Sequence, residues 1–331
     1  MRYHFLTAYR NEAAIIETFL DEFHAMARNA GIAAQSTLVL VDDLSLDATR
    51  TIIERYGERP DAIPIEIIPA PTNLGNQGAM FHGLTHLGVA ADDVLVTFDC
   101  DGEDDVREIP AVLELGRRNP GKLVLIERGR RAESLAFKLF FAVYKAVFRF
   151  LTQKAVVPNN FMLIPGALVP AMQRSPVVTV HFAYGVLKLN APFIAITRDR
   201  RTRYGGRTSQ NLFMLVSHGL VGLMVFYEVV VAKLFMLLFL SGGIAAAVVV
   251  AGAVAPAARQ QLLWLGLGIG GGALLLLGLL VASALAFVFK LSIYALISSA
   301  DERRAGSRPP PGAAVSAPRG APPGRPDTAA R

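Results

Sequence analysis

Residues 93–105 read DVLVTFDCDGEDD, a run of β-branched and apolar residues from Val94 to Phe98 that breaks off into Asp99, Cys100, Asp101 and Gly102. Such a run reads as a buried strand that delivers two carboxylates at its carboxyl end. Strand alternation turns Cys100 away from both acids, so Asp99 and Asp101 aim the same way. Two carboxylates placed so suit one hard cation, Mg2+ or Mn2+, with coordination positions left open for phosphate oxygens. Taken alone, the same stretch also fits a solvated acidic loop, since Glu103, Asp104 and Asp105 follow.

Around this stretch the pattern alternates. Tyr3–Ala8 is a strand, and Asn11 can cap a helix that runs to about Asn29 with Gly31 as its stop. Thr37–Val41 is a second strand, followed by a helix from Ser45 to Tyr56 that stops at Gly57. Ile63–Ile68 is a third strand; the loop Pro69–Gly75 leads into a helix to about Leu87; Lys122–Ile126 is a fifth strand after Asp93–Phe98. Strands separated by helices imply right-handed crossovers and an α/β fold with a mostly parallel, Rossmann-like sheet. Ligands of such sheets bind beyond the carboxyl ends of the strands. Asp42, Asp43, Asp99 and Asp101 all fall there, and Arg128, Arg130 and Arg131 follow the fifth strand, so carboxylates and guanidinium groups meet at one edge.

Four ordered stretches carry a resemblance: Thr7–Glu12 (TAYRNE), Val41–Thr49 (VDDLSLDAT), Asn73–Ala79 (NLGNQGA) and Asp99–Asp104 (DCDGED). In order and spacing they resemble family 2 glycosyltransferases of the GT-A fold. Arg128–Lys138 and Arg203–Thr208 (RYGGRT) are similar to the polyprenyl-phosphate branch, with its dolichyl-phosphate mannose synthases and bactoprenol glucosyltransferases. The resemblance covers about residues 1–230. It implies an inverting transfer of a sugar from a UDP- or GDP-linked donor to a polyprenyl phosphate of the undecaprenyl type, for cell-envelope glycan assembly or modification. It assigns Tyr9, Glu12, Asp42, Asp43, Gly75 and Glu103 to the nucleotide sugar, and Asp99 and Asp101 to the metal. Arg128, Ser134 and Lys138 go to the acceptor phosphate, with Arg130 or Arg131 as substitutes. Arg203 and Thr208 go to a loop that closes over the diphosphate. The chemistry agrees: a lipid phosphate is already anionic at pH 7 and needs positioning more than deprotonation, which Arg supplies bidentately. The stretch departs from the family at Gly102-Glu103, at Asn160-Phe161-Met162, where Asp and Arg are usual, and at Ser209.

Composition adds a membrane. Of the 331 residues 53% are hydrophobic and 18% charged, against about 25% charged in ordinary soluble domains. The excess lies in Leu234–Ala258 and Gln260–Phe289, uncharged runs of 25 and 30 residues. Each exceeds the roughly 20 residues a spanning helix needs. The sequence therefore predicts a cytoplasmic catalytic domain over 1–208, with 134–152 an amphipathic interfacial helix bearing Lys138, Lys145 and Arg149. A juxtamembrane amphipathic helix over 209–227, membrane spans over 229–256 and 261–289, and a disordered Pro/Arg-rich tail over 301–331 follow. Lys290, Arg303, Arg304 and Arg308 after the second span, against Arg259 at the hairpin tip, put domain and tail on the cytoplasmic side of a bacterial inner membrane. The N-terminal apolar stretches are broken by Arg2, His4, Arg10 and Glu12, so no signal peptide is expected.

Several classes fall away. The single cysteine, Cys100, excludes a disulfide framework and a Cys-based zinc cluster. The net charge of +6, with six arginines beside seven prolines in the tail, suits anionic lipid head groups; nucleic acid is not expected as a partner, whereas a homo-oligomer is compatible with everything above. His82 and His86 lack the Glu of a zinc-protease motif. Phe98–Gly102 also resembles the first motif of haloacid-dehalogenase phosphatases, but no later Gly-Asp pair follows. A non-catalytic membrane scaffold stands as the other alternative; an intact acidic pair with Arg203 is what a scaffold would not need.

Overall fold

The computed structural model describes residues 1–129, 135–154, 159–199, 201–205, 219–254, 260–279, 281–282 and 285. All lie in the first of two units, Met1–Lys290; the second unit is Leu291–Arg331. The expected tail therefore lies outside the described residues, as do Arg130, Arg131, Ser134 and Thr208.

The chain opens with β1 (Tyr3–Tyr9), α1 (Ile16–Asn29), β2 (Ser36–Asp42), α2 (Thr49–Gly57), β3 (Ile65–Pro69), α3 (Gly75–His86) and β4 (Val94–Thr97). There follow α4 (Ile109–Arg118), β5 (Leu123–Arg128), α5 (Leu135–Thr152), β6 (Met162–Pro165) and α6 (Val169–Gln173), then α7 (Pro176–Val180), α8 (Phe182–Lys188) and β7 (Phe193–Arg198). The seven strands form one sheet in the order β3-β2-β1-β4-β6-β5-β7. β1 pairs in parallel with β2 and β4, β2 with β3, and β5 with β7, whereas β6 runs antiparallel to β4 and β5. This is the expected mostly parallel α/β sheet. Its winding reverses between β1 and β4, which opens a crevice beyond their carboxyl ends.

The core forms because α1 spaces Ile16, Phe19, Leu20, Phe23 and Ala27 three or four apart and buries each completely. Phe23 meets Phe5 of β1 edge-on at 5.0 Å between ring centroids and lies 6.2 Å from Phe98, just past β4. On the other face α3 presses on the sheet at Gly83, where a Cβ would come within 2.5 Å of Val41 Cγ2 and 2.7 Å of Leu6 Cδ1. Glycine at 83 is what permits that approach.

Three expectations change. The helix expected from Asn11 begins at Ile16, because Asn11 takes a left-handed φ of +55° and spends its side chain on the neighbouring loop. The helix expected from Ser45 begins at Thr49, after Leu44 at φ +63°. Arg128 is the last residue of β5 rather than part of the loop after it, because β7, not foreseen from the sequence, extends the ladder as far as the pair Arg128 and Arg198.

A helix over 219–224 (α9) ends in a turn at Val225 and Phe226. It is followed by α10 (Tyr227–Val254) and α11 (Gln260–Leu279), both long and apolar enough to cross a membrane, with mean hydropathy 2.5 and 2.1. None of the most apolar window of α10 is buried within the protein; Met236 and Phe239 are 70% and 77% exposed. α5 packs Phe148 against Phe226 at 5.8 Å and joins Tyr144 Oη to Tyr184 Oη at 2.9 Å. Its outer side carries Leu139, Val143, Val147 and Phe150 in the open beside exposed Lys145 and Arg149.

Candidate active site

The crevice is built from loops that the quoted motifs lock together. The backbone N–H of Asn11 donates to Ser45 Oγ at 3.1 Å, and Asn11 Oδ1 accepts from the N–H of Leu46 at 2.8 Å. Glu12 N–H donates to Thr49 Oγ1 at 2.9 Å, and Ala13 N–H to Asp47 Oδ2 at 3.1 Å. The loops after β1 and β2 therefore form one clamp, which explains the Asn, Ser, Asp and Thr positions of the first two motifs.

The acids divide into structural and available groups. Asp42 is buried and accepts from the N–H of Ser45 at 2.8 Å. Asp43 is also buried and accepts from the N–H of Leu74 at 2.6 Å, holding the turn that starts α3; burial pushes its carboxyl above the usual range. Gly75 opens α3 with φ +68°. Tyr9 lies in the core at 2% exposure, and burial with Asp42 close by pushes its pKa well up. Of the residues assigned to the nucleotide sugar, Glu12, Gly75 and Glu103 lie at the surface of the crevice, and Tyr9, Asp42 and Asp43 lie beneath it.

Asp99 and Asp101 follow β4 into that crevice. Asp99 N–H donates to Asp104 Oδ2 at 2.9 Å, and Asp104 is only 5% exposed, so the solvated acidic loop is not what forms. Asp101 Oδ1 accepts from the N–H of Glu103 at 2.9 Å. Burial, with Asp99 next to it, pushes Asp101 up to about 6. Cys100 turns inward, as alternation requires, with its Sγ 3.4 Å from the carbonyl of Ala8.

The segment 201–205 closes over these acids. Arg203 donates through Nη1 to Asp101 Oδ2 at 3.1 Å and through Nη2 to Glu12 Oε1 at 2.5 Å, which brings together three residues predicted for the site. The N–H of Arg201 donates to the carbonyl of Glu103 at 3.2 Å and that of Tyr204 to the carbonyl of Asp101 at 3.1 Å. The Tyr204 ring lies over Gly102, at φ +88°, where a Cβ would stand 2.6 Å from the ring. Glu22 on α1 anchors the segment through Arg201 at 2.6 Å and Tyr204 Oη at 2.9 Å, and the Arg201 hydrogen bond holds Glu22 below the usual carboxylate range.

Sequence reasoning missed Glu22 and a set of amides. Asn160 and Asn76 both donate to Asp99 Oδ1, at 2.8 and 3.1 Å, and Gln77 donates to Asn160 Oδ1 at 2.7 Å. Asn76 and Gln77 stand inside the motif NLGNQGA, which was a signal; Glu22 carried none. Arg128 and Lys138 sit at the end of β5 and in the first turn of α5, on either side of the segment outside the described residues. The rings of His82 and His86 lie 4.4 Å apart, tilted at 59°, and bond to carbonyls of Pro69 and His82, a packing role.

Among the described residues no group of three His, Cys, Asp or Glu side chains converges as a metal site. Asp99 and Asp101 nevertheless fit a divalent cation by their chemistry. Burial, with Asp99 next to it, raises Asp101, and Mg2+-type ions bind through one or two carboxylates with phosphate oxygens filling the other positions.

Residues 5–167 match the family described as Glycosyl transferase family 2. A curated relative, the undecaprenyl-phosphate 4-deoxy-4-formamido-L-arabinose transferase of Shewanella sediminis, is 29% identical over 125 residues, which are 38% of this chain and 36% of that protein. The chain thus spans about a third of the relative's length. Among solved structures, the glucosyl-3-phosphoglycerate synthase of Mycobacterium tuberculosis with Mn2+ and uridine-diphosphate-glucose superposes with a TM-score of 0.49 at 13% identity, over 68% of this chain and 79% of that one. TarS 1-349 of S. aureus superposes with a TM-score of 0.38 at 14% identity, over 60% and 59% of the two chains.

Proposed function

We propose that this chain, which carries a glycosyl transferase family 2 domain over residues 5–167, transfers a sugar from a UDP- or GDP-linked donor to a polyprenyl phosphate of the undecaprenyl type, with inversion. The observation that carries the proposal is the acidic pair Asp99 and Asp101 at the sheet's reversal point, with the Arg203 guanidinium set against Asp101 and Glu12. The acceptor class is supported by the name of the Shewanella relative and by two helices apolar enough to hold the protein where a lipid phosphate resides.

Asp99 and Asp101 would hold Mg2+ or Mn2+, which when bound neutralises the leaving diphosphate. Arg203 donates from the opposite side and, with Thr208, closes over the same phosphates, so departing charge meets fixed donors. Glu12, Asp42, Asp43, Gly75, Tyr9 and Glu103 shape the pocket for the nucleotide sugar, and the 201–205 segment shields it from water. Arg128, Arg130, Arg131, Ser134 and Lys138 take the acceptor phosphate, which needs orientation rather than a strong base. The exposed apolar and basic side of α5 rests in the membrane interface, which presents the lipid head group to the crevice. α10 and α11 span the bilayer, with domain and tail on the cytoplasmic face.

Thermal shift of the purified full chain against a panel of nucleotide sugars with Mn2+ tests this, because a ligand of the folded state raises its apparent stability. A UDP- or GDP-sugar that stabilises with Mn2+ and fails with EDTA is the expected result. No stabilisation across the panel, with no nucleotide binding by calorimetry, would overturn the enzyme reading in favour of a scaffold.

A further inference from the structure

The donor pair does not hold its own geometry. Asn160 is 4% exposed and pinned at its carbonyl by Thr97 Oγ1 of β4 at 2.5 Å. Its side-chain amide donates to Asp99 Oδ1 and to Asn76 Oδ1, both at 2.8 Å. Which end of this amide faces Asp99 is decided elsewhere. The N–H of Ala183, at the start of α8, donates to Gln77 Oε1 at 3.2 Å. A backbone N–H can only donate, so Gln77 presents its oxygen to α8 and its Nε2 to Asn160 Oδ1, at 2.7 Å. Asn160 Oδ1 is thereby occupied as an acceptor, and its N–H groups must turn towards Asp99. Reversing the amide would set an oxygen against the Asp99 carboxylate, at a distance where two acceptors repel.

We infer that Asn160 is a positioning residue for Asp99, with its polarity set by Gln77 from the N-terminus of α8. The inference deepens the proposed transfer and rests on it. Two N–H bonds on one oxygen fix the carboxylate plane. Asn160 and Gln77 therefore act on divalent-cation affinity through Asp99 without touching the nucleotide. Because Gln77 bonds to α8 and Asn160 to Asp99, the elements behind the crevice take part in setting Asp99.

The test uses the full chain in detergent with Mn2+ as the probe, reading free Mn2+ by electron paramagnetic resonance in the presence of UDP. UDP affinity in EDTA is measured in parallel. Asn160→Ala is expected to weaken Mn2+ binding roughly tenfold, the lower end of what partners of metal ligands contribute. Gln77→Met, which keeps the volume and removes both hydrogen bonds, is expected to weaken it by a smaller factor. UDP affinity in EDTA stays unchanged in both. Unchanged Mn2+ affinity in the two variants overturns the inference, as does an equal loss of UDP binding in EDTA, the mark of a merely structural role. Should Asn160→Ala fail to fold, Gln77→Met decides alone. A wild-type chain that binds neither UDP nor Mn2+ overturns the transferase proposal itself, a result distinct from the other two.

Discussion

Replacing Arg203 with Gln should move two measurements in opposite directions. The guanidinium makes charge-assisted hydrogen bonds of 3.1 Å to Asp101 and 2.5 Å to Glu12. The three side chains are 24%, 16% and 21% exposed, so residual solvent screens the pairs only in part. A pair of this kind contributes about 1.5–3 kcal/mol where dry and well under 1 kcal/mol where fully wet; between these limits the two together hold about 2 kcal/mol. In the absence of donor, Arg203 and a divalent cation would compete for the Asp101 carboxylate. Arg203→Gln should therefore let Mn2+ alone bind roughly tenfold more tightly, equivalent to about 1.4 kcal/mol of released competition. With the donor bound, the same guanidinium would face the leaving diphosphate, and loss of one such preorganised donor costs about 100-fold in turnover. Calorimetric titration of Mn2+ into the nucleotide-free chain reads the first effect, and initial rates of sugar transfer read the second. Mn2+ affinity that stays the same or falls in Arg203→Gln would refute the competition, whatever happens to the rate.

Three further outcomes follow from the same geometry. Asp101→Asn should abolish Mn2+-dependent transfer while the thermal midpoint is retained; unchanged transfer would exclude the metal role of this carboxylate. His24, 1% exposed, bonds through Nδ1 to the carbonyl of Leu20 and through Nε2 to the N–H of Ile63, each at 2.8 Å, so the ring is neutral and burial holds its pKa below the usual value. The unfolded chain then binds the extra proton, so stability is full above about pH 6.5 and falls by at most about 1.4 kcal/mol per pH unit beneath it, until His24 titrates in the folded state; denaturant unfolding at pH 7.5 and 5.5 should show the loss, and His24→Gln should flatten it. Gly83→Val should destabilise by about 1–3 kcal/mol through overpacking against Val41 and Leu6, read as a lower urea midpoint with an unchanged slope.

The strands that carry the acids were legible because their evidence is local. Val94–Thr97 and Ser36–Asp42 announce themselves by β-branched runs that end in Asp, and the rule for parallel sheets turns those ends into one edge. What stayed hidden depends on partners far away in sequence. β6 is four residues long and takes its place between β4 and β5 through pairing alone, and β7 alternates between half-buried and exposed residues at the sheet margin. Asn11 looked like a helix cap because capping and loop-bridging use the same short side chain; the contact with Leu46 that settles the matter lies 35 positions on. Glu22 meets Arg201 across 179 positions, and Asn160 meets Asp99 across 61, separations at which one sequence carries no pairing signal. Asn160 had been visible as a departure from the Asp usual in the resembled family, and the fold shows it bonded to Asp99 and Gln77.

Sugar transfer by the full chain is the most direct test. Purified protein in vesicles that contain undecaprenyl phosphate, supplied with Mn2+ and a labelled UDP- or GDP-sugar, should yield a labelled lipid that is formed by the wild type and lost with EDTA or with Asp101→Asn. Absence of any labelled lipid across a broad donor panel, from protein that is folded and inserted, would contradict the assignment of this crevice to glycosyl transfer.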